Sequence, residues 1–471
     1  MRDIKAGYSS SLIERSKQIR DSLNVDVLNK AGIARSRLQF ELFNQYPPIY
    51  LLRPIKNPEE IFSSDNDPRP SGMSRPLALY VHIPFCLKKC TFCCFFSIDK
   101  WADGYINRYL RYLEKEICLL SKKEHFKKSR INSVHFGGGT PTLLNKRQLF
   151  RLTNVIRRNF CVAADAEFTF ETTPESLNRE KLEYFRESGF NRLSIGIQTF
   201  DNHLLRSHKR LYTAKQAVRA FKLSRRSGFS KINIDLLFGL TGQDLASWDE
   251  SLKIAADLGP ANVTAYPFMG CFTRNDIRKA FNNFQDEGNQ RLLMHIMAIE
   301  KFTGLGYIQV TPYQFIRTPE YSFKQQEHKS KSGQIHAFGV TGHSFLNNVE
   351  YHNHHTLKGY EDMLLNNIIP IERGRHLSRK EQMIRFAIYN LQKRAGVNRK
   401  DGGIDKAVFA ERFGVPLESE FSAKLRRLLG LGLIKDTGRY IRLSYLGILY
   451  HTEVCQLFYL KKDREEITRL F

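Results

Sequence analysis

The sequence predicts an α/β protein built on a partial barrel of six β/α units, followed by a smaller α+β domain that resembles a winged helix. One observation supports the barrel. Short apolar segments alternate with amphipathic helical segments from residue 77 onward, and such alternation produces a parallel sheet with right-handed crossovers. The active site of such a barrel lies at the C-terminal ends of its strands. We therefore expect the residues that carry chemistry to follow the predicted strands.

The barrel elements are defined by their hydrophobic periodicity. Helices are expected at residues 104–120 and 146–158, where apolar side chains recur every three or four positions. The alternation fades after residue 315. The six predicted strands are residues 77–85, 131–136, 168–171, 192–197, 231–238 and 262–266.

The rest of the chain divides into three regions. The sequence pattern of residues 409–444 predicts two short helices and then two strands around the Thr437–Gly438 turn. This is the order of elements in a winged-helix module. Residues 318–353 are rich in Lys, Gln, His and Gly, which is typical of a loop. We expect an N-terminal extension over 1–75, the barrel over 76–317, a loop region covering the substrate over 318–371, and a C-terminal domain over 372–471.

The net charge and the distribution of apolar residues indicate which kinds of partner the protein binds. The 471 residues include 73 Lys and Arg against 48 Asp and Glu, a net charge of +25. No basic run is dense enough to form a nucleic-acid-binding arm, so the charge indicates an anionic small molecule more than a nucleic acid. The sequence contains neither a signal peptide nor a run of 18 apolar residues. We expect a cytoplasmic protein with no membrane contact.

Four of the eight cysteines fall within residues 86–94. Cys86, Cys90 and Cys93 are spaced four and three residues apart on the loop after the first predicted strand. Zinc sites usually take four ligands, often in two separate pairs, whereas a soft all-thiolate set suits an iron–sulfur cluster. Three ligands leave one iron of a four-iron cluster open. Cys94 is adjacent to Cys93, so we expect it to lie beside the cluster without binding it.

This segment resembles the signature of the radical S-adenosylmethionine (SAM) superfamily. The pattern is Cys86-x3-Cys90-x2-Cys93, with Phe92 before the third cysteine. Its first cysteine is the last residue of the sequence YVHIPFC, which begins at Tyr80. That context is similar to the HemN-like branch. The resemblance implies that the three cysteines hold a [4Fe–4S] cluster, that SAM binds the open iron close to Phe92, and that Tyr80 belongs to the catalytic residues.

Other motifs agree with this resemblance. The sequence HFGGGTPT follows the second predicted strand, and single polar residues follow or end the next three strands. The resemblance implies that these positions contact one of two SAM molecules. They are Gly138, Gly139, Thr140, Glu171, Gln198, Arg210 and Asp235. His82 alternates with Tyr80 on the first strand, and it suits either a site residue or a core histidine.

The resemblance also implies a reaction. An electron donor of the flavodoxin or ferredoxin type reduces the cluster, SAM is cleaved to methionine and a 5′-deoxyadenosyl radical, and the radical removes a hydrogen atom from the substrate. Coproporphyrinogen oxidases usually carry a fourth cysteine two residues after the third, where this chain has Phe95. The segment 306–329 resembles the haem-utilisation and C-methyltransferase group. This resemblance and the absence of the fourth cysteine favour that group over the oxidases.

We therefore predict a radical SAM enzyme that modifies a tetrapyrrole or similar acceptor by C-methylation. Two alternatives remain open: an oxygen-independent coproporphyrinogen III oxidase, and a haem-binding chaperone of the HemW type. His328 and His343 are candidates for proton transfer or haem contact, although ordinary loop histidines would show the same pattern.

Overall fold

The computed structural model describes residues 11–33, 45–63, 75–268, 287–330, 333–393, 395–399 and 401–470. Its core is a sheet of 13 strands, numbered here along the chain. The strands are β1 (Arg53–Pro54), β2 (Arg75–Ile83), β3 (Ser129–Gly138), β4 (Cys161–Thr172), β5 (Arg192–Gln198), β6 (Lys231–Phe238), β7 (Asn262–Pro267), β8 (Ile308–Thr311), β9 (Gln314–Ile316), β10 (Gln334–Phe338), β11 (His343–Leu346), β12 (Val349–Asn353) and β13 (Ile371–His376). Their spatial order is β1-β13-β12-β11-β10-β2-β3-β4-β5-β6-β7-β9-β8.

Strands β2 to β7 form the parallel barrel segment that the sequence predicted. Each strand pairs with the next one along the chain. These strands are largely apolar because helices cover one face and the barrel interior covers the other. The α/β fold class with a partial barrel of six β/α units is therefore confirmed.

The crossover helices bury one apolar stripe each. In the helix Lys146–Asn159, Asn145 and Gln148 exchange hydrogen bonds as a capping box, which satisfies amide groups of the first turn. Leu149, Leu152 and Ile156 are buried on its inner face. The helices of the barrel region are Tyr105–Ser121, Glu124–Lys127, Lys146–Asn159, Arg179–Glu187, Asn202–Ser207, Ala214–Arg226 and Leu245–Leu258.

The region 318–371 differs from its prediction as a loop. It contributes β10, which is parallel to β2, and then the antiparallel strands β11 and β12. Buried polar residues obscured these strands in the sequence. His336 Nδ1 lies 2.7 Å from Tyr351 Oη, and Asn353 Nδ2 donates to Glu116 Oε1 at 2.7 Å. The helices of this region are Lys324–Ser330 and Leu357–Leu365.

The C-terminal region contains a separate sheet with the order β14-β16-β15. Strand β14 (Ile404–Asp405) precedes the helices Lys406–Phe413 and Leu417–Gly430, and β15 (Ile434–Asp436) and β16 (Tyr440–Leu443) follow them. The predicted winged-helix order is observed, with Gly438 in the left-handed region at the turn (φ +82°). The remaining helices are Arg379–Lys393, Tyr445–Leu449, His451–Phe458 and Lys461–Leu470.

The N-terminal extension packs on the barrel and on the C-terminal domain. Helix Leu12–Ser22 lies against Glu287–Gly304, where Arg15 pairs with Glu300 at 2.9 Å. The Tyr46 hydroxyl donates to Asp463 Oδ2 at 2.5 Å. The extension also includes the helix Val25–Lys30 and the short 3-10 turns Ile49–Leu51 and Pro58–Phe62. None of the helices in the described ranges has the length and hydropathy needed to cross a bilayer.

Candidate active site

A cavity of about 420 Å³ opens at the C-terminal ends of the parallel strands. The loop after β2 lines one side of it, with Cys86, Cys90, Cys93 and Cys94. The strands β3 to β7 contribute its other walls, through residues that include Gly138, Thr172, Gln198, Leu237 and Tyr266. The cavity therefore lies where the predicted barrel places an active site.

The cysteine loop is fixed at its start by backbone and indole hydrogen bonds. Cys86 N donates to Ile98 O at 2.9 Å, and Ile98 N donates to Pro84 O at 2.6 Å. The Trp101 indole donates to Cys86 O at 3.3 Å. Cys86 is buried, whereas Cys90 and Cys93 are half-buried and face the cavity. The loop thus presents three sulfur atoms to one space.

The three sulfurs do not have the spacing of a single-metal site. Thiolates bound to one zinc ion lie about 3.8 Å apart, because each Zn–S bond is about 2.3 Å. Among the described residues, these cysteines do not form a group whose ligand atoms all lie within 4.8 Å of one another. Three thiolates are instead the soft donor set that an iron–sulfur cluster takes.

The thiols need a cationic partner to ionise. Burial raises the pKa of Cys86 and of Cys93. The Thr140 hydroxyl lies 3.6 Å from Cys86 Sγ, and Arg210 Nη1 donates to Cys90 Sγ at 3.0 Å. Iron bound by the sulfurs would supply the remaining positive charge. The donor set therefore fits the cluster that the sequence predicted.

The glycine run at the end of β3 is required by close packing inside the protein. A Cβ atom on Gly137 would lie 2.7 Å from the Glu171 carboxylate, and one on Gly138 would lie 2.6 Å from the His82 ring. A Cβ atom on Gly139 would lie 2.6 Å from Phe85 O. The sequence suggested that the glycines admit a ligand. The structure adds that they admit Glu171 and the cysteine loop.

Glu171 is held at the end of β4 by two donors. Its Oε1 lies 2.8 Å from His135 Nε2, and its Oε2 accepts from Gly138 N at 3.2 Å. The Tyr80 ring stacks on His135 at 5.6 Å. Tyr80 therefore lies one layer behind the cavity wall, and His135 is the wall residue. Sequence reasoning missed His135, although its position two residues before the glycine run was a signal.

Asp235 lies inside the barrel within a polar network. Its carboxylate accepts from Ser194 Oγ at 2.7 Å and from Asn233 Nδ2 at 2.8 Å. Burial raises its pKa to about 6. Thr264 Oγ1 donates to Asn233 Oδ1 at 2.9 Å, which extends the network to β7. Ser194, Asn233 and Thr264 all line the cavity, and sequence reasoning singled out none of them.

Gln198 and Arg210 reach the cavity from the end of β5. Gln198 has a positive φ of 71°, at an irregularity in the pairing with β6. A non-glycine residue in this conformation is strained, and such strain is common at functional sites. Arg210 Nη2 donates to Gly196 O at 2.7 Å. Phe92 also lines the cavity, so each predicted SAM-contacting residue except Tyr80 lies on its wall.

The three other histidines considered from the sequence lie outside the cavity wall. His82 is buried, its Nε2 lies 3.0 Å from Phe96 O, and burial lowers its pKa. His328 Nδ1 lies 3.4 Å from Asn132 Nδ2. His343 Nε2 lies 2.9 Å from the buried Glu350 carboxylate. His82 supports the cysteine loop, and His343 contacts Glu350 away from the cavity.

Known protein families match two parts of the chain. Residues 80–254 match the radical SAM superfamily, and residues 377–450 match the HemN C-terminal domain. The chain is a HemN-like radical SAM protein. Its cofactors are a [4Fe–4S] cluster and SAM, which agrees with the three cysteines that line the cavity.

The relatives of this HemN-like protein cover most of its length. The heme chaperone HemW of Bacillus subtilis is 29% identical over 387 residues, which are 80% of this chain and 98% of HemW. The oxygen-independent coproporphyrinogen III oxidase of Escherichia coli is 29% identical over 403 residues, which are 82% of this chain and 85% of the oxidase. The structure of E. coli coproporphyrinogen III oxidase (HemN) superposes with a TM-score of 0.75 at 26% identity, covering 90% of this chain and 99% of HemN.

Proposed function

We propose that this HemN-like protein cleaves SAM and uses the resulting radical on a tetrapyrrole that carries carboxylates. One observation supports this most strongly: the three cysteines, Glu171 and Asp235 face the same cavity. The bound cluster supplies one electron to the SAM sulfonium, and SAM supplies the 5′-deoxyadenosyl group that removes a hydrogen atom from the substrate. The cavity's own residues then bind, orient and enclose the reactants.

Each predicted site residue has a role in this proposal. Cys86, Cys90 and Cys93 bind the cluster. Glu171 and Asp235 are hydrogen-bond acceptors for the SAM ammonium group or ribose hydroxyls. Two carboxylates on the cavity wall suit two SAM molecules, and they equally suit one SAM molecule and the substrate. Tyr80 acts on SAM indirectly, by stacking on His135. The residues proposed to contact SAM directly are Phe92, Gly138, Gly139, Thr140, Gln198 and Arg210.

The rim of the cavity favours an anionic substrate. Lys88, Lys89 and Lys209 line it together. Ammonium groups attract carboxylates, and the low dielectric of a cleft strengthens this attraction. A tetrapyrrole with carboxylate side chains meets this requirement, and both relatives described above carry porphyrin or heme chemistry in their names.

The cysteine loop also suits an acidic electron carrier of the flavodoxin or ferredoxin type. Leu87 and Phe95 are 56% and 59% exposed beside the cluster cysteines, and Lys88 and Lys89 lie between them in sequence. Exposed apolar side chains next to lysines are complementary to a partner with a hydrophobic contact patch and acidic surroundings. Reduction of the cluster requires such a donor.

A second function, haem trafficking, has its own support. The match extends over 98% of HemW, and this chain has Phe95 where coproporphyrinogen oxidases usually have a further cysteine. C-methylation remains a prediction from the sequence, because neither relative described above is named for methyl transfer.

One experiment separates these functions. The reconstituted protein is incubated anaerobically with reductant and SAM in three parallel reactions. The first also contains coproporphyrinogen III, the second contains haem, and the third contains no tetrapyrrole. We expect 5′-deoxyadenosine formation to rise when the tetrapyrrole is added. Release of CO2 would identify oxidation of coproporphyrinogen, and S-adenosylhomocysteine would identify methyl transfer. Stoichiometric haem binding with no tetrapyrrole-dependent SAM cleavage would overturn the enzymatic proposal in favour of the chaperone.

A further inference from the structure

Two histidines and a glutamate lie together on the face of the sheet edge formed by β12, β13 and β1. His354 and His355 follow β12, and Glu372 lies within β13. Each offers one ligand atom, and these atoms all lie within 4.8 Å of one another. Within the described part of the chain, no other set of three His, Cys, Asp or Glu residues meets this spacing. None of the three lines the active-site cavity.

The pair His355–Glu372 lies slightly closer together than two ligands on one ion. His355 Nδ1 lies 2.9 Å from Glu372 Oε1 and 2.8 Å from Oε2. Two ligand atoms on a zinc-sized ion are about 3.0–3.4 Å apart, because each bond is about 2.0–2.1 Å. A metal ion can replace the proton shared by this pair with a small outward movement of the side chains.

His354 supplies the third donor. Its ring lies nearly parallel to that of His355, with centroids 5.0 Å apart and an angle of 10° between planes. Thr356 N donates to His354 Nδ1 at 3.1 Å, and Thr356 Oγ1 lies 3.2 Å from the same nitrogen. Nδ1 is therefore the unprotonated nitrogen of the neutral ring, and a metal ion binds its lone pair in exchange for the Thr356 hydrogen bonds.

The backbone holds these residues in place. His354 N donates to Pro370 O at 2.7 Å, and His355 N donates to Glu372 Oε2 at 3.1 Å. Ile55 N donates to Glu372 O at 3.2 Å, which fixes β13 from its other side. The scaffold therefore orders the ligands before an ion binds, which reduces the entropy lost on binding.

We propose that His354, His355 and Glu372 bind a divalent ion of the zinc class. Two imidazoles and one carboxylate suit Zn²⁺, Ni²⁺ or Co²⁺, whereas Mg²⁺ and Ca²⁺ require mainly oxygen ligands. His355 is 60% exposed, so water can complete the coordination. A bound ion cross-links the loop before helix Leu357–Leu365 to β13, and this site is separate from the cluster.

The positive charge of the neighbouring Arg373 should weaken Zn²⁺ binding, and its removal tests the proposed site. Arg373 Nε lies 3.9 Å from Glu372 Oε1, and its guanidinium repels a cation. R373Q should therefore bind Zn²⁺ more tightly than the wild-type chain. This result would not follow from nonspecific binding to scattered histidines.

The test is anaerobic calorimetry of ZnCl2 binding to the cluster-loaded protein, with MgCl2 as a second titrant. We expect one saturable Zn²⁺ site, no Mg²⁺ binding, and at least a tenfold loss of affinity in H355A and in E372Q. H203A removes a surface histidine on another helix and should bind like wild type. Absorbance of the cluster before and after titration shows that the cysteines are not the Zn²⁺ ligands.

Two results would overturn the proposal: no saturable Zn²⁺ binding by the wild-type protein, or equal affinity in the wild-type, H355A and E372Q proteins. Circular dichroism of each variant without metal verifies that it is folded. Zn²⁺ should also raise the thermal midpoint of the wild-type protein and leave that of H355A unchanged, which is independent of SAM cleavage.

Discussion

Arg210 donates a hydrogen bond from Nη1 to Cys90 Sγ at 3.0 Å. The guanidinium is fixed on its other edges, since Nη2 donates to Gly196 O at 2.7 Å and Nε donates to Tyr212 Oη at 3.0 Å. Tyr212 in turn donates to Ile197 O at 2.5 Å. The end of β5 thus places a permanent positive charge against one proposed cluster ligand.

Replacement of this charge should change the cluster's redox behaviour. A nearby cation stabilises the reduced, more negative cluster, and hydrogen bonds to the sulfurs raise its potential. We expect R210M to lower the midpoint potential and to slow SAM cleavage by about tenfold or more, since a charged hydrogen bond contributes about 1.5–3 kcal/mol. Redox titration followed by electron paramagnetic resonance (EPR) measures the potential. R219M, on an exposed helix position, is the control, and equal potentials in both variants would refute the role of Arg210.

Cys94 should not be a ligand of the cluster, although it is adjacent to the proposed ligand Cys93. All four cysteines line the cavity, but adjacent residues cannot easily reach the same cluster. We expect C94A to retain the iron content and absorbance of the wild-type protein after reconstitution, whereas C90A loses most of its iron. An iron-depleted C94A protein would show that Cys94 is a ligand and that the assignment of Cys93 must be revised.

Asp235 should make SAM binding depend on pH. Burial raises its pKa to about 6, so the carboxyl is mostly neutral at pH 5 and mostly ionised at pH 7. If the ionised form binds the SAM ammonium group, affinity rises by about tenfold over this interval. Equilibrium dialysis of the reconstituted protein measures the affinity. D235N should bind weakly with a flat profile, and a wild-type profile that is equally flat would exclude this role for Asp235.

Glu116 should make fold stability depend on pH with the opposite slope to an ordinary carboxylate. Its buried side chain accepts from Tyr360 Oη at 2.6 Å, Gly339 N at 2.8 Å and Asn353 Nδ2 at 2.7 Å. Burial raises its pKa to about 7 from 4.5. The folded state therefore retains a proton that the unfolded state releases, and stability falls as pH rises from about 4.5 to 7.

The size of this effect is about 3 kcal/mol, because one pKa unit corresponds to about 1.4 kcal/mol. Urea unfolding at several pH values measures it. E116Q should be less stable than wild type at pH 5, since its amide cannot accept all three hydrogen bonds, and the gap should narrow towards pH 8. The surface variant E180Q should keep the wild-type slope. A gap in E116Q that does not change with pH would contradict the assignment.

The sequence predicted the parts of the fold that repeat. Strands β2 to β7 were recognisable because each is a short apolar segment followed by an amphipathic helix. Strands β10 to β12 were missed because buried polar residues interrupt them. His336 is buried and hydrogen-bonded to Tyr351, and Asn353 is buried against Glu116. Only the tertiary structure supplies these partners.

The same limit applied to the site. Cys86, Glu171 and Asp235 could be predicted because they belong to motifs or end successive strands. His135 lies beside the glycine motif, but its partner Glu171 is far away in sequence. Asn233 also acts through distant partners, and no local pattern marks it. Tyr80 was placed on the correct strand, but whether it or His135 faces the cavity depends on how side chains stack across β2 and β3.

Cys86, Cys90 and Cys93 are proposed to hold a cluster whose open iron binds SAM. The most direct measurement is EPR of the reduced, reconstituted protein with and without SAM, together with its iron content. We expect about four irons per chain and a spectrum that changes when SAM is added, because SAM then occupies the open iron. An unchanged spectrum at saturating SAM, or full iron retention in the triple variant C86A/C90A/C93A, would contradict this assignment of the cluster ligands.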